Sequence, residues 1–217
     1  MTKKELGKRY ILLVFSLLLS ALGVAFTKHG ELGVSPISSV ANVLSYQYTF
    51  LTLGTWLIVW NCVLIVGQIL ILRKKFQPVQ LLQVPLSFLF GYFTDFGLWC
   101  VAPIPADSYP VRLLMICIGT VILGLGISLS VIANVIMNSG EAFVKAVADS
   151  VHREFGNVKI VFDLCCVATA VALSLVFFDF TIVGTREGTL LSAVFTGFVV
   201  KFFGKRLREP VTKLLTK

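Results

Sequence analysis

The chain has 217 residues, of which 57% are hydrophobic and only 14% charged, with a net charge of +8 at neutral pH. So little charge cannot coat a soluble domain of this length. The Lys and Arg residues lie between apolar runs, where they orient a membrane protein rather than bind nucleic acid. The apolar runs are continuous and do not alternate, which excludes a β-barrel and leaves helices as the spanning elements.

The first span is expected over residues 9–28. Lys3, Lys4, Lys8 and Arg9 precede it as they would a signal peptide, but the run is long, about 18 residues, and no small-x-small cleavage site follows. A short helix is expected next, over 34–48, opened by Ser35 before Pro36. Ser35, Ser38, Ser39 and Asn42 form a polar stripe on it at helical spacing. Spans over 54–72 and 79–102 complete this half, the latter expected to kink at Pro85 and carrying Asp95. The second half repeats the order. A span over 111–135 is followed by a short polar helix over 139–155, capped by Asn138 or Ser139, and then by spans over 157–178 and 187–204. The fold class is therefore an all-α membrane protein, with about six transmembrane helices plus two short re-entrant or interfacial helices.

Charge decides the orientation. With six spans, about fifteen Lys and Arg share the side of the two termini and about three (Lys28, Arg112 and Arg186) lie opposite. That bias places both termini in the cytoplasm.

The halves also resemble each other at an offset of about 103 residues, which divides one membrane domain into repeats at 1–102 and 103–217. Arg9 aligns with Arg112, and Leu22-Gly23 with Leu125-Gly126. Gly54, Ile58, Val59 and Asn61 align with Gly156, Ile160, Val161 and Asp163, and Gly91 with Gly197. Each half has three spans, so the second must enter the membrane from the opposite side, giving a 3+3 inverted repeat. Two similar halves of opposite orientation can support inward-open and outward-open states of similar energy.

Candidate site residues follow from polarity inside apolar runs. Asp163 lies about seven residues into its helix, where an ionisable group must face the bundle interior or water. Lys159 sits one turn earlier on the same face, so the two can pair, couple protons or bind an ion. Asn61 occupies the equivalent place in the first half. The N-termini of the short helices, at Ser35, Ser38, Ser39 and Asn42 and at Asn138, Ser139 and Glu141, would favour an anion through their free amides. Glu141 opposes an anion and favours a cation or amine at its own end. Asp95, Arg186 and Glu187 are secondary candidates, and Glu187 also suits the positive end of the last helix.

The five cysteines lie in or beside apolar runs without metal-ligand spacing and read as packing residues, so no metal and no cofactor is expected. His29 and His152 fall in separate loops. There is no P-loop, no His-Glu-x-x-His and no Gly-x-Ser-x-Gly, which argues against an enzyme.

The Gly33-Val34-Ser35-Pro36 turn, Asp163 in the fifth span, and Gly184-Thr185-Arg186-Glu187-Gly188-Thr189 with Gly197 beyond it resemble the YczE/YyaS/YitT family of bacterial integral membrane proteins. That resemblance implies a bacterial cell membrane and carries little biochemistry.

The leading expectation is a small secondary transporter or exporter of a small polar solute. The alternatives are a non-transporting assembly or accessory factor, and the membrane substrate-binding subunit of an ATP-driven transporter. The expected surroundings are the lipid bilayer and a solute, with a homodimer or a membrane partner as further options, and no nucleic acid.

Overall fold

The computed structural model describes residues 3–153 and 155–216, apart from the side chains of residues 155 and 156. Glu154, within the stretch expected to form the second short helix, lies outside the described residues. Among those described there are eight α-helices: α1 (Lys3–His29), α2 (Pro36–Gln47), α3 (Leu53–Leu72), α4 (Gln83–Val101), α5 (Tyr109–Ala133), α6 (Ser139–Val151), α7 (Phe155–Phe177) and α8 (Glu187–Thr216). Six helical stretches are long and apolar enough to cross a membrane, and α2 and α6 are not among them.

Two expectations about the elements change. Pro85 falls in the first turn of α4, where its missing N–H breaks no helical bond, so it need not kink that helix. Helix α8 runs on past residue 204 to Thr216, because Lys, Arg, Leu and Glu keep the charged stretch helical.

Helices α1 and α5, the first of each half, cross at the centre of the bundle. Glycines set their separation. A Cβ on Gly23 would lie 2.5 Å from the Leu123 nitrogen and 2.7 Å from the Gly119 carbonyl oxygen. A Cβ on Gly126 would lie 2.7 Å from the Ser20 nitrogen and 2.8 Å from the Ser16 carbonyl oxygen. The positions of the first set recur in the second at an offset of 103: Gly23 with Gly126, Leu123 with Ser20 and Gly119 with Ser16. The ends behave alike: Arg9 donates to the Ala133 carbonyl at the end of α5 (2.9 Å), and Arg112 pairs with Glu31 just beyond the end of α1 (3.0 Å).

The reciprocity extends outward. Helix α2 packs on α7 and α6 on α3, while α4 packs on α1 and α8 on α5. It breaks at one place. Helices α3 and α4 are tightly joined: a Cβ on Gly91 would lie 2.5 Å from Ile58 Cγ1 and 2.6 Å from the Gly54 carbonyl oxygen. Asp95 fastens the same joint. Its carboxylate accepts from Thr52 Oγ1 (2.6 Å) and from the Gly54 N–H (2.9 Å), so α4 caps the N-terminus of α3. Among the described residues, α7 and α8 form no comparable joint. A Cβ on Gly197 would meet nothing within 4 Å, and Ile160, the counterpart of Ile58, is 69% exposed. Lys201, the counterpart of Asp95, is exposed and carries the wrong sign to cap a helix N-terminus.

The short helices are packed into the bundle, with most of their N-terminal turns buried. After α1 the chain turns back through Glu31 (φ 55°) and Gly33 (φ 120°), and Pro36 then starts α2 inside the protein. Gly33 has no alternative residue. Its φ is left-handed, and a Cβ would lie 2.8 Å from the Thr189 nitrogen. The Gly188 N–H donates to the Leu32 carbonyl at 2.7 Å, so the two segments that carry the family resemblance touch. The N-termini of α2 and α6 also meet: a Cβ on Gly140 would lie 2.9 Å from Ile37 Cδ1.

Candidate functional site

A cavity of about 700 Å³ opens between the two halves, beside the gap between α7 and α8. Its walls are mostly apolar, from Val24, Leu57, Phe90, Leu123, Ile127 and Val131. Its polar lining comes chiefly from the two short helices and from the facing turns of α3 and α7.

Helix α7 contributes an ion pair. Lys159 Nζ donates to both carboxylate oxygens of Asp163, at 2.5 and 2.6 Å. The spacing of one helical turn makes this contact local, so Lys159 turns inward to Asp163 instead of reaching for the membrane surface. Helix α3 contributes Asn61, which is 3% exposed and whose Nδ2 has no hydrogen-bond partner among the described residues. Helix α6 contributes Asn138 and Glu141. Asn138 caps its helix by accepting from the Ser139 N–H at 3.0 Å. Glu141 Oε2 is buried and has no partner among the described residues. Burial pushes the Glu141 carboxyl above the usual carboxylate range, and the nearby Lys159 ammonium, the Glu141 backbone N–H and the Asn138 side chain only partly offset this. Lys145, Asp149 and Arg153 line the exposed mouth of the cavity.

The expected α2 stripe divides. Ser35 and Ser38 face the cavity and bond to each other at 2.9 Å. Ser39 donates to the Pro36 carbonyl at 2.6 Å and to the Cys166 carbonyl at 3.4 Å, which fastens α2 to α7. Asn42 lies outside the cavity lining, accepting from Lys28 Nζ at 2.5 Å and donating to the Gly184 carbonyl at 2.6 Å. Ser139 is likewise engaged, sharing a 3.0 Å bond with Ser87. Arg186 and Glu187 pair with each other at 3.5 Å at the start of α8, away from the cavity, and Asp95 is held in the α3–α4 joint.

Ser20 and Thr196 also line the cavity. Each is a small hydroxyl within a largely apolar helix, and such residues commonly bond back to their own helix. Only the packing distinguishes them. Lys28, at the end of α1, lies over the Tyr46 ring, 3.5 Å from the centroid, and so joins the polar cluster around Asn42.

The chain is 25% identical over 202 residues to the uncharacterized membrane protein YczE of Bacillus subtilis (strain 168), covering 92% of this chain and 87% of the relative. It is 30% identical over 119 residues to the uncharacterized protein YyaS of the same organism, covering 54% of this chain and 57% of that one. No solved structure matches the chain. The likeness to a membrane protein and the six long apolar helices together support a multi-pass membrane protein. The DUF6198 family, described as a family of unknown function, matches residues 7–205, and the chain belongs to that family.

Proposed function

We propose that this protein is a secondary transporter or exporter of a small polar solute in the bacterial cytoplasmic membrane, built as a 3+3 inverted repeat with both termini cytoplasmic. One observation carries the reading: reciprocal packing of the halves around α1 and α5, broken where α3 and α4 are joined and α7 and α8 are parted. A bundle built from two like halves has two ways to place one closed joint and one open one. The exchange of those states would expose the central cavity to opposite sides in turn. The α3–α4 joint gathers at the N-terminus of α3, and the parting lies at the N-terminal part of α7, where Arg153 and Lys145 line the mouth. With basic residues on the cytoplasmic side, the conformation described is inward-open.

The experiment locks the parted joint. In a variant with Cys62, Cys100, Cys117, Cys165 and Cys166 replaced, Ile160→Cys and Gly197→Cys are introduced and cross-linked with a short bifunctional reagent. A reporter cysteine at Ile127, in the cavity wall, is then exposed to an impermeant maleimide from each side of the membrane. The expected result is cytoplasmic labelling before cross-linking and labelling from the outside after it. Unchanged cytoplasmic labelling, or no cross-link under any condition, overturns the reading. This assay needs no knowledge of the solute.

A further inference from the structure

We propose that the cavity takes a small organic cation, an ammonium group with an apolar body and one oxygen acceptor, in competition with a proton at Glu141. The inference names the solute class of the transporter reading, but its binding part stands whether or not the protein transports.

The charges inside the cavity set the sign. Away from the exposed mouth, where Lys145, Asp149 and Arg153 lie, two acids, Glu141 and Asp163, face one base, Lys159, and both Asp163 oxygens hold that base. Glu141 is left as the acid with no ion pair of its own, and its Oε2 is buried without a partner among the described residues. An anionic solute would meet that carboxylate in a low-dielectric site and be repelled. A neutral one would leave the carboxylate unanswered. An ammonium supplies three donors and the missing charge. Lys145 and Arg153 do not compete for Glu141, because both are exposed at the mouth.

The other features of the solute follow from the remaining walls. Val24, Leu57, Phe90, Leu123, Ile127 and Val131 give an apolar surface that an alkyl or aryl body would cover. The unpartnered Asn61 Nδ2, almost fully buried, needs an acceptor, which a hydroxyl or carbonyl oxygen on that body provides.

Competition with a proton follows from the surroundings of Glu141. Lys159 and Asp163 face it from α7, and Lys145 lies one turn along its own helix. The described cavity residues from α1, α2, α3, α4, α5 and α8 carry no charge. At low pH the carboxyl is protonated and cannot pair with a cation. As pH rises through its elevated pKa, the proton leaves to solvent and the ammonium takes its place, so affinity rises with pH.

The test is titration calorimetry of the full chain in lipid nanodiscs between pH 5 and 8. The probes are leucinol, 4-methyl-1-pentanol, which lacks the amine, and 4-methylpentanoate, which carries the opposite charge. Leucinol is expected to bind, more tightly as pH rises, and the other two to bind at least tenfold more weakly. Glu141→Gln is expected to weaken leucinol roughly 10- to 100-fold and flatten the pH profile, the range for a lost hydrogen bond to a charged group. Glu141→Asp, which keeps the carboxylate, is expected to retain both binding and pH dependence. Preferential binding of 4-methylpentanoate, an unchanged profile in a folded Glu141→Gln protein, or no leucinol binding at any pH overturns the proposal. Leucinol binding with failed two-sided labelling would sink the transporter reading alone.

Discussion

Asp163 and Glu141 sit on the same cavity, yet their surroundings differ. The pairing of Asp163 was legible in the sequence, because Lys159 lies one turn away on the same helix and no other element is needed to bring them together. The exposed position of Glu141 in the charge balance was not legible. Its lack of an ion pair depends on α7, whose Lys159 is committed to Asp163. The same reasoning explains why Asn61 could be read as central while Ser39 and Asn42 could not be separated from Ser35 and Ser38. Helical spacing puts all four hydroxyl and amide groups on one face, and only tertiary contacts say which are already satisfied. The Asp163 pair makes its own prediction. Lys159→Met should destabilise the protein by about 2–3 kcal/mol in chemical denaturation, because a largely buried carboxylate loses its cation. The double variant Lys159→Met/Asp163→Leu should recover to within about 1 kcal/mol of the parent, since a well-packed apolar pair commonly equals a buried ion pair. A double variant as unstable as the single one would mean that Asp163 has further partners.

At the level of elements, the six spans were readable because length and continuous hydrophobicity suffice to identify them. The short helices were readable as elements but not as buried ones. Their polar stripes fit an exposed site as well as a buried one, and their burial follows from backbone geometry at Glu31 and Gly33 and from contacts between the halves. The equivalence of Gly23 and Gly126 was visible as an alignment, whereas its meaning, two reciprocal points of close approach, required the crossing of α1 and α5. That crossing predicts a graded response to glycine replacement. Gly23→Ala and Gly126→Ala should each destabilise the protein by about 2–3 kcal/mol, because each methyl would press on backbone atoms that cannot rotate away. Gly197→Ala should instead stabilise it by roughly 0.5–1 kcal/mol, since the added methyl meets open space in the conformation described and helical glycine is entropically unfavourable. Denaturation of the three variants under one set of conditions checks the ordering. Equal effects at all three positions would show that Gly197 is packed as tightly as the other two.

For the whole molecule, the two halves share their pattern of neighbours but not their state of closure. The difference has a chemical basis, since Asp95 caps the N-terminus of α3 from α4 and its counterpart Lys201 cannot do the same for α7. The joint in the first half is therefore fastened by a carboxylate, and the second can close only by apolar contact of α8, around Gly197, with α7, around Ile160. A bilayer protein with one joint closed and one open, and a cavity between them, is expected to exchange the two rather than to open or close both. Pulsed electron–electron distance measurements in nanodiscs test this most directly, with spin labels at Val59 and Tyr92 on α3 and α4 and, in a separate sample, at the equivalent Val161 and Phe198 on α7 and α8. All four positions are exposed, and each is next in the chain to a residue of its joint, so the labels report the joint's width. The account predicts two distances for each pair, with conditions that shorten the α7–α8 distance lengthening the α3–α4 distance. One fixed distance for both pairs across pH and added leucinol, or distances that lengthen and shorten together, would contradict it.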